Sequence, residues 1–358
     1  MSFSRRINSL VSRWRQSRYD LTEIDRTNKL IIFIVPFVEE VNGGVMSIFS
    51  LCENSRRINP EAAVFLCTEP NKYTYAVNRK FLNREKVCNL KQILDRAGKV
   101  EELIIHVPEY LAAKFYRRLT PGQRQLLQKL PSVQINILNQ NIELMPTRRA
   151  FDDLFHLTFN ITQTTAHDRY ATQEVCNRFG IPLHHFSVSI DVSTYKKYPF
   201  NTKEKLVVLS PDDNPHRQEI LNVISRELPD YRVQTVQGIT FEQFMDLIAR
   251  AFVVISFGEG YDGYFVQPWY VDTMGLAVYN EKFFPGPEWR SFANVYASFS
   301  ELGRRLAVDI RRWEQNKNLY YQTIERSRNL NNTIYSYDTF LDNLRRFYNR
   351  QYDFYPQG

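Results

Sequence analysis

Residues 253–279 read VVISFGEGYDGYFVQPWYVDTMGLAVY, and their layout predicts the local fold. An apolar run of strand length leads into a loop with three glycines around Glu259, and a helix and a second apolar strand follow. Glycines directly after a buried strand let a ligand approach the main chain, and the amides at the start of the next helix can bind phosphate. The stretch therefore predicts a β–loop–α–β unit with a ligand site at its loop. The loop glycines are Gly258, Gly260 and Gly263.

Strands and helices alternate along the rest of the chain. The run 29–36 (KLIIFIVP) is continuously apolar, as expected of a central parallel strand that is covered on both faces. Alternation of this kind predicts a doubly wound parallel sheet. Before residue 193 the pattern predicts strands at 29–36, 62–67, 103–107, 133–138 and 157–162, helices at 45–58, 108–130 and 166–179, and an extended stretch at 185–192.

A second α/β series begins after the irregular stretch 193–202. A chain of 358 residues also exceeds the usual size of a single hydrophobic core. The predicted fold class is therefore α/β, with two Rossmann-like doubly wound domains facing a cleft and helices at the C-terminus. The second series has predicted strands at 206–210, 232–236, 253–256 and 276–279 and helices at 215–228 and 241–251.

The predicted domain organisation has four parts. A helix over 1–24 precedes an N-terminal domain over 25–195 and a C-terminal domain over 203–300. Helices over 301–358 are expected to pack across both domains, with a break between helices at Asn331 and Asn332.

Composition narrows the class of protein. The four cysteines are scattered without a C-x-x-C pair, so we expect reduced, mostly buried thiols and not a zinc site or a disulfide framework. No apolar run approaches the roughly 20 residues that cross a bilayer, and the N-terminus lacks the apolar stretch of a signal peptide, which predicts a cytoplasmic location. The formal charge of +7 suits nucleic acid, an anionic membrane surface or phosphate-bearing substrates.

The N-terminal residues combine arginines with apolar residues at helical spacing, and no acid occurs before Asp20. This pattern predicts a basic amphipathic helix, which can lie in a membrane interface with its arginines on anionic head groups. The other interpretation is that the apolar face docks on the protein's own body. The membrane interpretation places the protein peripherally on the inner face of the plasma membrane, through Arg5, Arg6, Arg13, Trp14 and Arg15.

The glycine-rich loop also indicates the kind of ligand. An acid there repels phosphate and is better suited to accept hydrogen bonds from sugar hydroxyls, which is the role expected of Glu259. The stretch resembles the GT-B glycosyltransferases of the family 4 type, among them bacterial polysaccharide and O-antigen enzymes, which have E-G-[FY]-G after a strand and a second glutamate eight positions after the first. Glu259, Gly260 and Tyr261 match the opening. Gln267 stands in place of the second glutamate, with Asp272 as a nearby substitute.

Two other stretches follow the order of the same family, over residues 29–285 in total. The loop after the first strand resembles the glycine loop that lies beside the donor phosphates and the acceptor, and its residues are Asn42, Gly43 and Gly44. The segment LNQNIELMP at 138–146 is similar to a Q-D-x-E loop of some bacterial polysaccharide glycosyltransferases, with an asparagine in place of the acid. Its retained positions are Gln140 and Glu143.

The resemblance implies a nucleotide-sugar donor on the C-terminal domain. The family usually offers an arginine and then a lysine to neutralise the diphosphate, whereas this chain offers Arg217 with His216 as a weaker second. Either Arg217 clamps the diphosphate alone with the helix dipole assisting, or the donor site is altered. A third interpretation is that Arg217 only caps a solvent-facing helix start. The implied catalytic residues are Glu259, Gln140 and Glu143. The implied donor-binding and phosphate-binding residues are Ser210, His216, Arg217, Gly258, Gly260, Tyr261, Asp262, Gly263, Tyr264 and Gln267.

The implied activity is metal-independent transfer of a sugar to a glycan or lipid-linked acceptor, with retention of configuration, in the synthesis of cell-surface polysaccharide such as lipopolysaccharide. No cofactor beyond the donor is implied. The histidines lack metal-site spacing and the adjacent aspartates do not form D-x-D, while His167 and Asp168 are expected to cap a helix. A GT-B-like sugar-nucleotide epimerase, a catalytically silent relative and a basic nucleic-acid-binding protein remain as alternatives.

Overall fold

The apolar run near the N-terminus forms strand β1 (Lys29–Val35), in which every residue after Lys29 is buried. A strand that is buried on both faces belongs in the interior of a parallel sheet. The computed structural model describes residues 3–39 (3–9 by backbone only), 42–70, 75–76, 85–187 and 195–357, and it places β1 inside such a sheet. The prediction of a central parallel strand is confirmed.

The chain divides into two compact units, Met1–Val188 with Asp338–Gly358, and Ser189–Tyr337. The first unit adds these described strands to β1: β2 (Ala62–Thr68), β3 (Val87–Asn89), β4 (Glu102–Pro108), β5 (Ser132–Asn139), β6 (Ile161–Thr165) and β7 (Leu183–His185). Their order is β3-β2-β1-β4-β5-β6-β7, with every neighbouring pair parallel. In this doubly wound order the strand sequence reverses between β1 and β4, which is where ligands bind in open α/β sheets.

Helices pack on the sheet of the first unit, and a continuous apolar core lies between one of its faces and the helices that cover that face. The helices before residue 188 are α1 (Phe3–Gln16), α2 (Gly43–Ile58), α3 (Leu90–Leu94), α4 (Glu109–Arg118), α5 (Pro121–Lys129) and α6 (Gln173–Phe179). All four cysteines lie in this unit, unpaired and buried, as predicted.

The second unit is a smaller sheet of the same kind. Its described strands are β8 (Leu206–Leu209), β9 (Arg232–Thr235), β10 (Val253–Ile255), β11 (Met274–Val278) and β12 (Val295–Tyr296). They are parallel in the order β12-β11-β10-β8-β9, so the reversal falls between β8 and β10. The helices are α7 (Arg217–Glu227), α8 (Phe241–Arg250), α9 (Gly263–Tyr270), α10 (Phe299–Gln315) and α11 (Lys317–Ile334).

The C-terminal segment returns to the first unit. Helix α12 (Tyr337–Tyr348) places the Tyr348 hydroxyl 2.7 Å from Ser55 Oγ and 3.2 Å from His106 Nε2, and all three side chains are buried. Burial lowers the pKa of His106 to about 3, so this histidine is neutral at physiological pH. Beyond α12, Phe354 exchanges two backbone hydrogen bonds of 3.0 Å with Leu183 in the edge strand β7. The segment around Phe354 therefore pairs with the β7 edge of the first sheet.

Some predicted boundaries were wrong. Strand β6 begins at Ile161 and not at 157, because the preceding residues wind into a 3-10 segment, Arg148–His156, that buries Phe151 and Leu154. The helix predicted at 166–179 is shortened to α6 after a 3-10 turn, Asp168–Tyr170. Strands β3 and β12 escaped the sequence pattern because they contain three and two residues.

The break predicted at Asn331 and Asn332 does not occur, since α11 continues to Ile334. Asn331 is buried and uses both ends of its amide: it accepts from the Tyr261 hydroxyl at 2.6 Å and donates to the Tyr270 hydroxyl at 2.8 Å. A buried polar group is tolerated when it is hydrogen-bonded, so this asparagine fixes α11 to the segment that follows β10.

Helix α9 packs onto β11 through Gly275. A Cβ at Gly275 would fall well inside contact distance of the Phe265 carbonyl oxygen and 3.1 Å from the Trp269 indole nitrogen. Both Phe265 and Trp269 are fully buried, so neither the helix nor the indole has room to retreat.

We predict that Gly275→Ala lowers the free energy of unfolding by about 3 kcal/mol, the upper end for overpacking a core. Gly303→Ala is the matched control, because Gly303 lies in α10 with its nearest neighbouring atom 3.6 Å from the added Cβ. Removing a helical glycine is expected to leave stability unchanged or raise it by up to about 1 kcal/mol. Thermal unfolding of both variants checks this, and equal midpoints would contradict the packing argument.

Candidate functional site

The sheet reversal in the second unit lies beside the loop that the sequence singled out. Ser210 follows β8 and is fully buried, and its hydroxyl accepts a hydrogen bond of 2.9 Å from the Phe257 amide after β10. The Ser210 amide in turn donates to the Ile255 carbonyl at 3.0 Å. These two bonds join the ends of the strands on either side of the reversal, so the loop begins from a fixed point.

Two glycines of this loop have little room for a side chain. Gly258 is exposed, and a Cβ there would meet the Asp212 carboxyl carbon at 2.9 Å. Gly260 has a φ of +82°, and a Cβ there would lie 2.5 Å from the Val278 carbonyl oxygen at the end of β11. A positive φ and a close backbone approach both require glycine. The half-buried side chain of Glu259 therefore lies between Gly258, which faces the Asp212 carboxyl group, and Gly260, whose backbone position requires glycine.

Asp262 caps helix α9. Its Oδ1 accepts from the amides of Tyr264 at 2.8 Å and Phe265 at 3.2 Å, and its Oδ2 accepts from Ser256 Oγ at 2.5 Å. Burial and, to a smaller extent, the neighbouring Asp212 carboxylate raise the pKa of Asp262 to about 7, although its three hydrogen bonds oppose that rise. The sequence assigned these first amides of the helix to donor phosphates, whereas two of them are used by the protein's own carboxyl.

Arg217, at the start of α7, is engaged with the loop after β8. Its guanidinium donates to the carbonyl oxygens of Ser210 at 2.7 Å and Asp212 at 3.2 Å and to Thr235 Oγ1 at 2.8 Å. The Arg217 guanidinium is therefore held by three protein oxygens, and its role is more than that of a helix cap. His216 is half exposed and lies 3.3 Å from Glu219, so its ring is directed to the surface of α7.

The two residues proposed for a ribose contact, Gln267 and Asp272, have different surroundings in the structure. A Cβ at Gly263 would lie 3.1 Å from Gln267 Nε2, so the Gln267 side chain runs back along the first turn of α9 toward the loop. Asp272, considered as a substitute acid, is paired with Arg328 at 3.1 Å and Lys197 at 3.7 Å. The ribose contact of Gln267 stays a prediction, while Asp272 belongs to an ion-pair network.

The glycine loop and the Q-x-x-E segment meet in the first unit, beside the reversal between β1 and β4. Asn42 is the N-cap of α2, with its side-chain oxygen accepting from the Val45 amide at 2.9 Å. A Cβ at Gly44 would lie 3.1 Å from Gln140 Oε1, whereas one at Gly43 would have no neighbour within 4 Å. The structure thus brings Gln140 onto the first turn of α2, as close as a glycine permits.

Glu109 is a site residue that the sequence analysis missed. It begins α4 directly after β4, is only 4% exposed, and accepts a hydrogen bond of 3.3 Å from the Gln140 amide. Burial raises the pKa of Glu109 to about 7, although its bonds from backbone amides oppose that rise. The feature of the sequence that could have identified Glu109 is its position directly after a central strand.

Gln140 is also held from its other side. His167 makes no helix cap, contrary to the prediction; its Nε2 lies 3.2 Å from the Gln140 carbonyl oxygen. Burial lowers the pKa of His167, so the ring is neutral at physiological pH with its proton on the nitrogen that faces the carbonyl. Glu143 lies in an exposed 3-10 turn, Ile142–Leu144, three residues further on.

Within the described residues, no three histidine, cysteine, aspartate or glutamate side chains gather into a group that could hold a metal ion. Each unit thus presents polar groups and glycines at its sheet reversal, where a small polar ligand can bind.

Comparison with known proteins gives a likeness of fold. No known family model and no curated protein matches the sequence. Among solved structures, an alpha-glucosyltransferase in complex with UDP-glucose and DNA containing an abasic site matches with a TM-score of 0.59 at 10% identity, over 88% of this chain and 99% of that chain. Anabaena HepE, in complex with UDP and glucose, matches with a TM-score of 0.60 at 9% identity, over 90% and 100%. The lipopolysaccharide outer core galactosyltransferase WaaB, in its apo form, gives 0.51 at 11% identity over 90% and 99%.

The chain has the GT-B fold. Both parallel sheets and their helices contribute, since the matches cover most of this chain and nearly all of each neighbour. The predicted fold class is confirmed in this respect, and the narrower resemblance to family 4 stays a prediction.

We predict that Asp262→Asn changes how stability depends on pH. The folded pKa of Asp262 is raised from 3.8 to about 7, so its contribution is fully present below about pH 4 and is lost as the pH rises through 7. Asparagine keeps a cap on α9 without a charge. The variant should therefore gain stability relative to wild type between pH 5 and pH 8.

The exposed neighbour Asp213 supplies the control Asp213→Asn. Thermal unfolding at pH 5, 6, 7 and 8 checks the prediction. If both variants follow the wild-type pH dependence in parallel, Asp262 does not titrate in this range.

Proposed function

We propose that the protein is a glycosyltransferase that moves a sugar from a nucleotide-sugar donor to a glycan or lipid-linked acceptor in cell-surface polysaccharide synthesis. The observation that carries the proposal is the position of the loop around Glu259. It lies at the sheet reversal of the second unit, held by Ser210 behind it and by Gly260 against β11. The fold supports the proposal, since proteins named as an alpha-glucosyltransferase and a galactosyltransferase share it.

On the donor side, the second unit supplies contacts for a diphosphate and a sugar. The exposed backbone at Gly258 and the guanidinium of Arg217 suit the phosphates, and the Glu259 carboxylate suits the sugar hydroxyls. Gln267, lying along the first turn of α9, can both donate to and accept from a ribose hydroxyl. UDP is a reasonable first probe because it is present in three of the structurally similar complexes.

The charges around this site have a consequence for the donor. Asp212 and Asp262 both lie beside the loop, and a diphosphate brings further negative charge. Protonation of Asp262 removes part of that repulsion, so donor binding is expected to strengthen as the pH falls through 7. Arg217 offsets the remaining charge while it holds the loop carbonyls in place.

On the acceptor side, the first unit supplies Gln140 against Gly44, with Glu109 beneath and Glu143 exposed nearby. Transfer needs the leaving diphosphate to be stabilised as the bond to the sugar breaks, and fixed dipoles with a cation perform this without reorganisation. The proposed reaction uses no metal and retains configuration. We place it in the cytoplasm, at the inner face of the plasma membrane.

A thermal-shift screen with UDP, GDP, dTDP, CMP and their sugars tests the proposal. A ligand at one hundred times its dissociation constant stabilises by about 2.7 kcal/mol, which for a unit of this size is roughly 5–10 °C. We predict that one nucleoside diphosphate gives such a shift and that its sugar conjugate gives a larger one.

In Glu259→Gln the extra shift from the sugar should disappear while the shift from the nucleoside diphosphate persists. Glu325→Gln, at an exposed position of α11, should preserve both shifts. No shift with any nucleotide would refute the proposed function. Duplex DNA belongs among the acceptors tested with the identified donor, because one neighbour is complexed with DNA.

The acceptor side gives a second prediction, using two adjacent glycines of α2. Gly44→Ala places a methyl group 3.1 Å from Gln140 Oε1, so the amide must move, while Gly43→Ala meets nothing within 4 Å. Both should keep or raise the unfolding midpoint, because alanine favours the helix. We expect transfer to the acceptor to fall at least tenfold in Gly44→Ala alone, with donor binding unchanged. Equal transfer rates in the two variants would remove Gln140 from the acceptor site.

A further inference from the structure

Helix α1 is fixed to the first unit by its C-terminal end. The Gln16 side chain is 1% exposed, and its amide donates to the Val87 carbonyl of β3 at 2.9 Å and to the Tyr75 carbonyl at 3.3 Å. Three residues on, the Tyr19 hydroxyl donates to the Ala76 carbonyl at 2.8 Å. The end of the helix is therefore anchored at the edge strand of the sheet.

The turns before this anchor expose large apolar side chains. Leu10 is 63% exposed, Val11 43% and Trp14 55%. Leu10 and Trp14 are four positions apart and Val11 and Trp14 three apart, so the three share one helix face. The sequence left open whether this face docks on the protein's own body, and the structure leaves these three side chains exposed.

The same helix carries charge of a single sign. The sequence before Asp20 contains five arginines and no acid, and Arg13 and Arg15 are exposed in the last turn of α1. The Arg18 guanidinium lies 3.7 Å from the centre of the Trp14 ring, which keeps a cation beside the apolar face. A solvent-exposed helix without a binding role is expected to carry both acidic and basic side chains.

We propose that α1 binds the surface of a lipid bilayer that contains anionic lipids. Leu10, Val11 and Trp14 enter the interface, and the arginines lie against lipid phosphates. Charge complementarity identifies the partner: a single-sign basic face around an exposed apolar stripe fits an anionic surface with an apolar interior. Tryptophan also favours the head-group level of a membrane. This docking does not depend on the sugar chemistry, and it presents the first unit to acceptors that are anchored in lipid.

Binding does not require the chain to cross the membrane. In the described part of the protein, no helix has the length and apolar character to span a bilayer. The anchor at Gln16 instead keeps the helix alongside the folded unit, so that binding is peripheral and reversible.

Flotation of the full-length protein with vesicles tests the proposal. The vesicles are phosphatidylcholine alone, or phosphatidylcholine with 30% phosphatidylglycerol, each at two salt concentrations. We expect the protein to float with the anionic vesicles at low salt, to bind less at high salt, and to stay unbound with phosphatidylcholine alone.

Variants separate the two parts of the surface. Leu10→Ser with Trp14→Ser should abolish flotation, while Val308→Ser, at a position of α10 that is 65% exposed, should not change it. Arg13→Gln with Arg15→Gln should weaken partitioning by roughly 10- to 30-fold, at on the order of 1 kcal/mol for each base. The matched control is Arg304→Gln with Arg312→Gln, two exposed arginines of α10. Unchanged unfolding midpoints show that the variants remain folded.

Tryptophan fluorescence gives a local readout. Trp269, Trp289 and Trp313 are at most 2% exposed, so acrylamide quenching reports mainly Trp14. Anionic vesicles should protect this residue from quenching. The proposal is overturned if phosphatidylcholine protects it equally, if duplex DNA protects it more than the vesicles do, or if protection rises with protein concentration alone, as self-association would give.

Discussion

The second unit depends on one carboxyl group, that of Asp262. It bonds to Ser256 at the end of β10 and to two amides at the start of α9, so strand and helix are joined across the loop between them. The group is buried beside another carboxylate, and three hydrogen bonds offset part of the cost of that position. The shape of the loop is therefore maintained by a group that is itself close to titration, which links the geometry of the site to its state of charge.

In the first unit, different groups hold the loops at the sheet reversal. Its loops also meet where the strand order reverses, and the Gln140 peptide there is held between Glu109 on its amide side and His167 on its carbonyl side. Burial raises the pKa of Glu109 to about 7 and lowers that of His167, so burial favours the neutral form of both groups that hold the Gln140 backbone. The two units thus differ in chemistry: the second has acids with an arginine at its reversal, whereas the first has the Gln140 amide beside a glycine, with Glu109 buried behind it.

The sequence was sufficient for features that depend on local pattern. Continuous apolar runs predicted the central strands, and the glycines around Glu259 predicted a loop that only glycine can form at Gly260. The sequence was insufficient where the role of a residue depends on a partner that lies far along the chain. The polar strand Ile161–Thr165 is wholly buried, Glu109 acquires its role from a loop 31 residues later, and Arg217 turns toward carbonyl groups that no motif specifies. Side-chain burial and long-range pairing set these outcomes.

The return of the C-terminus to the first unit affects the order in which the protein can be assembled. Residues 189–337 form the second unit and are synthesised before the segment that supplies Tyr348 and Phe354 to the first. During synthesis on the ribosome, His106 and the edge of β7 therefore stay uncovered until the whole second unit has emerged. Domains generally fold in order of synthesis. Here the N-terminal unit is the first to start, but its sheet and helices can be completed only after residues 338–354 have been synthesised.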